Sequence, residues 1–301
     1  MNEARLRIVI AGETLRIETT TDVPREWLFR GKTPEAALRL IPLLFNLCPM
    51  AHGTAARIAL GLQPPPDADL MLAREILTEH ALVMLRDWPE ALGFVAGRTS
   101  LVGLAHLSGD RLVQLEEDLF GMPAESFLAH DVLADLPRGT VALAALGAVA
   151  GWPADWGRTV ADADPSILAR CRQDEAISAA IARDGATLAV RMWARLREAA
   201  RLIAELETGR YSRRYRRSED GVAWVEAARG QLVHRATVAN GLIRSYDIET
   251  PTSAMIAPGG FLERMLQSVL QAPDGLRDKA LAIALSCADP CLAVEPIREA
   301  A

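Results

Sequence analysis

Leu6, Ile8 and Ile10 recur at every second position; the run turns at Ala11-Gly12-Glu13-Thr14 and resumes with Leu15 and Ile17, which predicts a β-hairpin. Pro34 sits where the first turn of a helix tolerates proline, and EAALRLIPLLFNL follows with apolar residues at helical spacing. Cys48 comes just after that segment. Pro49 opens a second helix through MAHGTAARIALGL, which the triple proline Pro64-Pro65-Pro66 must end. DADLMLAREILTEHALVMLRDW is the clearest amphipathic helix of the first third, and residues 90 to 150 alternate short helical runs with glycine and proline breaks.

From Asp164 a helical period continues for about forty residues, and a break at Asp184-Gly185 predicts two long helices. The segment from Val222 to Glu249 then changes character. It alternates in the manner of strands, with Asn240-Gly241 supplying two residues that tolerate positive φ, so a small antiparallel sheet near 222–248 is expected. After the breaks at Pro251 and Pro258, helices follow near Phe261 to Gln271 and Gly275 to Ser286. The predicted fold class is mainly α with small β elements near both ends, an α+β arrangement read as one domain over 1–301 with a central helical bundle and no internal repeat or low-complexity segment.

Half of the 301 residues are hydrophobic, enough to bury a sizeable core. A net charge of -6, from 33 basic and 39 acidic residues, gives no overall attraction to nucleic acid or to an acidic membrane. The start MNEARLRIVI carries charges from its third residue, and no stretch has the length and hydrophobicity of a membrane span, so a cytoplasmic protein is expected. In that setting Cys48, Cys171, Cys287 and Cys291 are reduced thiols, either ligands or packing. The basic stretch Arg210, Arg213, Arg214, Arg216 and Arg217 is expected to be a solvated loop first, a docking site for an acidic partner second, and a nucleic-acid contact a distant third.

Taken alone, Cys48 and His52 form a Cys-x-x-x-His pair that chance produces, and Cys291 merely follows a good turn at Asp289-Pro290. The order of several fragments changes the picture. Arg30-Gly31 is followed by FNLCPMAH at 45–52, Glu79-His80, AARGQLVH at 227–234, Pro251-Thr252 and DPCLAV at 289–294. In this order they resemble the large subunit of nickel–iron hydrogenases, and the 23 positions from Arg229 to Thr252 match the interval that family shows.

The resemblance implies a trimmed large-subunit fold in which Arg229 and Thr252, with Pro251, cradle cyanide ligands of an iron, as a cationic fork and a hydroxyl donor suit. It implies Cys48 and Cys291 as thiolate ligands, His52 behind them, and Glu79 as a carboxylate near the site. The departures carry equal weight. Phe45 and Val294 stand where that family has its other two cysteines, and Ile297 where it has a histidine, so no nickel is expected. Cys287 is a possible third thiolate if its segment stays helical past Asp289-Pro290, and Cys171 reads as core.

This depleted pattern resembles the HupK/HoxV family of hydrogenase expression/formation proteins. The resemblance implies a non-enzymatic maturation factor, a scaffold that receives iron carrying carbon monoxide and cyanide and passes it to the hydrogenase large-subunit precursor, with HypC and HypD as partners upstream. It implies no C-terminal processing. A degenerate hydrogenase or hydrogen-sensing subunit, and a metal-free assembly chaperone, remain alternatives at this point.

Overall fold

A computed structural model describes residues 5–19, 26–130, 136–159 and 164–299; Met1–Ala4, whose charges argued against a signal peptide, lie outside them. The predicted hairpin is present as β1 (Arg5–Ala11) and β2 (Thr14–Thr19), antiparallel with Ala11 opposite Thr14. The hydrophobic pattern did not announce a third strand. Near the C-terminus, β7 (Ala293–Glu299) lies parallel to β1, from Arg5 opposite Ala293 to Ala11 opposite Glu299, giving the order β2-β1-β7.

The second sheet, in the order β3-β4-β5-β6, comprises β3 (Tyr215–Arg217), β4 (Ala223–Ala227), β5 (Gly230–Ala239) and β6 (Leu242–Glu249). Asn240 at φ 53 and Gly241 at φ 73 form the tight turn between the last two, as the Asn-Gly pair predicts.

Helices α1 (Pro34–Leu44) and α2 (Pro49–Ala59) each start on proline, and Thr33 caps the first by accepting from Ala36. Helix α3 (Ala68–Leu82) runs through a π-helical turn at Val83–Asp87 into α4 (Trp88–Leu92), so the predicted amphipathic helix continues further than its pattern suggested. Shorter pieces follow as α5 (Asp110–Leu119), α6 (Ala124–Leu128) and α7 (Val141–Val149).

The two long helices expected after Asp164 are three: α8 (Leu168–Cys171), α9 (Glu175–Asp184) and α10 (Leu188–Thr208). The extra break is at Asp174, whose carboxylate accepts from the N–H groups of Ala176 and Ile177 and is held by Arg197 and Arg201. An N-cap thus occupies what looked like helix interior. The break at Gly185 stands as predicted. The chain ends with α11 (Pro251–Met255), α12 (Phe261–Val269) and α13 (Asp274–Ala288) before β7.

Helix α10 is the axis of the molecule, buried from Leu188 to Ala200 except Ala189, and it packs against α3, α6, α7, α9 and α13. A smaller apolar cluster joins α2 to the second sheet through Ala51, Ala55, Ile58, Val225 and Leu232, with Cys48 and Cys291 at its margin. The segments holding both cysteines therefore meet where the bundle adjoins this sheet.

Candidate functional site

Cys48 is the residue immediately before α2, and Cys291 lies between α13 and β7. Helix α13 stops because Asp289 turns left-handed, at φ 50, with proline next. That turn carries Cys291 back to the bundle, where it packs in the same cluster as Cys48. The Cys291 N–H donates to the Thr252 hydroxyl at 2.9 Å. Thr252 is placed by α11, which starts on the buried Pro251 and is fixed by a reciprocal bond pair between Thr250 and Ser253.

Arg229 comes from the turn joining β4 and β5. The following residue, Gly230, has φ 145, and a Cβ there would lie 2.2 Å from the carbonyl oxygen of Pro165. Only glycine fits that backbone. All three nitrogens of the Arg229 guanidinium are used. Nε donates to the Asp289 carbonyl at 2.9 Å, Nη2 to Glu79 Oε2 at 2.8 Å and more loosely to Asp289 Oδ1 at 3.4 Å, and Nη1 to the Cys48 sulfur at 3.3 Å. Burial opposes this charge, but Asp289, the two sulfurs and Glu79 outweigh it and raise the Arg229 pKa. Glu79 is thus an ion-paired residue of the site and no free surface carboxylate.

The hydrogen bond from the Cys48 thiol to Cys291, followed by burial, raises the Cys48 pKa. The same bond lowers that of Cys291, with burial opposing and Arg229 and the Thr252 hydroxyl assisting. The pair behaves as one acid that loses a first proton readily and a second reluctantly.

Behind the sulfurs, on the next turn of α2, His52 stacks on Phe45 with ring centroids 3.8 Å apart and 11° between planes. Its Nδ1 lies 3.1 Å from His234 Nε2, and His234 Nδ1 lies 2.8 Å from the Tyr246 hydroxyl. Burial, with His52 adding to it, keeps His234 neutral.

A second network, which the sequence reading missed, supports the site from the bundle. Arg195 is 1% exposed; it donates to His80 Nδ1 at 3.0 Å and to the Ser286 carbonyl at 3.1 Å, and it lies 3.6 Å from Asp289 Oδ2. His80 Nε2 is 2.7 Å from Glu198, which Arg170 clamps with two nitrogens at 2.5 and 2.9 Å. Burial and Arg195 push His80 down to about 4, so it is neutral and donates to Glu198 through Nε2. No local signal marked it: Arg191, Arg195, Arg197 and Arg201 fall in a helix that mixes apolar and charged residues in the manner of an ordinary amphipathic helix.

Cys287 does not join the pair. Its sulfur faces the Leu188 carbonyl at 4.0 Å, and burial pushes it up to about 11. Cys171 is core, as expected. The basic stretch is no simple solvated loop: Arg214 is buried against Glu205 at 2.7 Å, and Arg213 and Arg216 stack over Tyr215 and Trp224 at 4.5 and 4.3 Å. Among the described residues no three or more His, Cys, Asp or Glu side chains are arranged to hold a metal, and no helix is long and apolar enough to cross a membrane.

The fold is that of nickel–iron hydrogenase large subunits. A nickel–iron–selenium hydrogenase from Desulfovibrio vulgaris Hildenborough superposes with a TM-score of 0.58 at 14% identity, covering 92% of this chain and 93% of that one. A NAD+-reducing [NiFe]-hydrogenase superposes with a TM-score of 0.55 at 17% identity over 92% of both chains.

Within that class the chain belongs to the HupK family of hydrogenase expression/formation proteins, since it is 30% identical to HupK of Rhodobacter capsulatus over 97% of both sequences. HupK of Bradyrhizobium diazoefficiens is 26% identical, over 97% of this chain and 95% of its own, and HupV of Azotobacter chroococcum is 27% identical over 89% of both. No protein-family profile matches the chain.

Proposed function

We propose that this protein is a non-catalytic scaffold of hydrogenase maturation that holds an iron bearing carbon monoxide and cyanide between Cys48 and Cys291. The single observation that carries this reading is that two cysteines 243 positions apart are brought together in one cluster, under an arginine fork and beside a buried threonine hydroxyl. Two soft thiolates fill only part of a metal's coordination sphere, which suits a metal whose remaining positions are filled by ligands it brings. Arg229 and Thr252 supply donors where anionic cyanide nitrogens need them. Glu79 and Asp289 keep the guanidinium aimed, and the first proton of the pair leaves easily, which favours metal capture.

In this reading the iron is cargo. It arrives from HypC and HypD in the cytoplasm and leaves for the hydrogenase large-subunit precursor, and a two-sulfur grip weaker than a full cysteine set suits release. The test is anaerobic purification from cells expressing the maturation proteins, followed by infrared spectroscopy. Carbonyl and cyanide stretches are expected in the wild type and lost in Cys48→Ala and Cys291→Ala. Their absence from the wild type, with HypC and HypD present, overturns the cargo assignment.

A further inference from the structure

The N-terminal turn of α2 is satisfied by a distant side chain. Its N-cap position is Cys48, whose side chain makes no capping bond. A helix start leaves backbone N–H groups that need acceptors, and Ser, Thr, Asp or Asn normally supplies one from the N-cap. Among the described residues, five helices follow that rule with Thr33, Thr140, Asp174, Thr187 and Thr250. At α2 the first residue is proline and has no N–H. The next two, Met50 and Ala51, donate to Glu75 Oε2 at 2.7 Å and Glu75 Oε1 at 3.0 Å. Both carboxylate oxygens of a residue on α3 are thus committed to the turn that begins at the cysteine.

Glu75 lies one helical turn before Glu79, so the two carboxylates share a face of α3. One fixes the backbone next to Cys48, and the other fixes Arg229, which reaches the Cys48 sulfur. We propose that Glu75 is the positioning residue of the Cys48 thiol: by capping α2 from α3 it frees the N-cap side chain to face Cys291 and a metal. A thiol that capped its own helix would turn towards the Met50 and Ala51 amides, away from its partner. The carboxylate keeps this place although burial raises it to about 7. The metal-holding part of this inference rests on the cargo reading above; the positioning of the sulfur does not.

The test uses the full chain, purified anaerobically, as wild type, Glu75→Gln and Glu75→Asp. Iodoacetamide alkylation is followed by peptide mass spectrometry at each cysteine across a pH series, and cadmium uptake by thiolate charge-transfer absorption. In Glu75→Gln the ratio of Cys48 to Cys291 reactivity is expected to change, and cadmium affinity to fall, each by about tenfold. Cys171 and Cys287 stay protected.

Glu75→Asp keeps the charge but draws it back by a methylene, so it is expected to reproduce the change, and it serves in place of Glu75→Gln if that variant does not fold. Equal changes at all four cysteines indicate general loosening and overturn the proposal, as does an unaltered Cys48 to Cys291 ratio. Absence of the carbonyl and cyanide bands from the wild type, while the ratio still shifts in the variants, removes the cargo reading and leaves Glu75 in its role.

Discussion

The Arg229 guanidinium lies 3.3 Å from the sulfur of Cys48, 181 positions away in sequence, and brings a buried positive charge to the cysteine pair. It stabilises the first thiolate of the pair. Arg229→Lys retains a positive charge but not the fork, so it cannot serve Cys48, Glu79 and the Asp289 carbonyl together. Its first thiol deprotonation is expected to move to higher pH by about one unit, a tenfold loss of thiolate at any pH below that transition. Alkylation rate against pH measures this, and a profile unchanged from wild type removes the guanidinium from the thiol chemistry. Arg229→Ala should also cost on the order of 3 kcal/mol in chemical denaturation, because buried carboxylates lose their partner.

Two buried groups give opposite pH dependences. His80 is held down at about 4 from an ordinary 6.5, so the unfolded chain takes up its proton first, and stability falls as pH drops from 6.5 to 4. The loss is about 3 kcal/mol at about 1.4 kcal/mol per unit. Glu75 is raised from 4.5 to about 7, so its contribution is present in full below 4.5 and is lost as pH rises through 7. The two partly cancel in the wild type. Denaturation of Glu75→Gln across pH 7 to 4.5 should therefore show a steeper loss on acidification than the wild type, and parallel curves contradict the Glu75 shift.

Gly230→Ala places a Cβ 2.2 Å from the Pro165 carbonyl oxygen, at a backbone angle closed to alanine. The turn carrying Arg229 must move. The expected result is a melting temperature lowered by several degrees together with an altered thiol pH profile, although the residue touches neither cysteine; a profile like the wild type's would show that the turn absorbs the methyl without displacing Arg229.

Asn240→Ala is the control for that experiment. Asn240 has φ 53 in the β5–β6 turn, so alanine costs about 1 kcal/mol of left-handed strain. Its stability should fall while the reactivity of Cys48 and Cys291 stays at the wild-type value.

Features set by neighbouring residues were legible in the sequence. The N-terminal hairpin, the two proline-started helices and the Asn-Gly turn all follow from local sterics, and all three are present. What failed was nonlocal. AVEPIRE gives little sign of a strand, because its pairing is supplied by β1 at the other end of the chain. Asp174 looked like a polar position within a helix because its partners Arg197 and Arg201 lie a helix away.

The site divides in the same manner. Cys48, Arg229, Thr252 and Cys291 were legible through the order of their motifs and are brought together, with Glu79 among them. Glu75 and Arg195 were not, since a capping carboxylate and a buried arginine are defined only by what they reach. Asp289 was read as a turn former alone, yet its carbonyl and carboxylate both hold Arg229.

Leu292 alone separates Cys291 from β7, which zips onto β1 residue by residue. During translation, helices α1 and α2 with Cys48 emerge long before the segment that brings the second sulfur. A ribosome-bound chain that stops short of residue 291 has Cys48 but not its partner sulfur. Topology therefore acts as a clock: the sulfur pair comes together only after synthesis of the 291–299 segment, and under the function proposed above an unfinished chain would make a poor competitor for cargo.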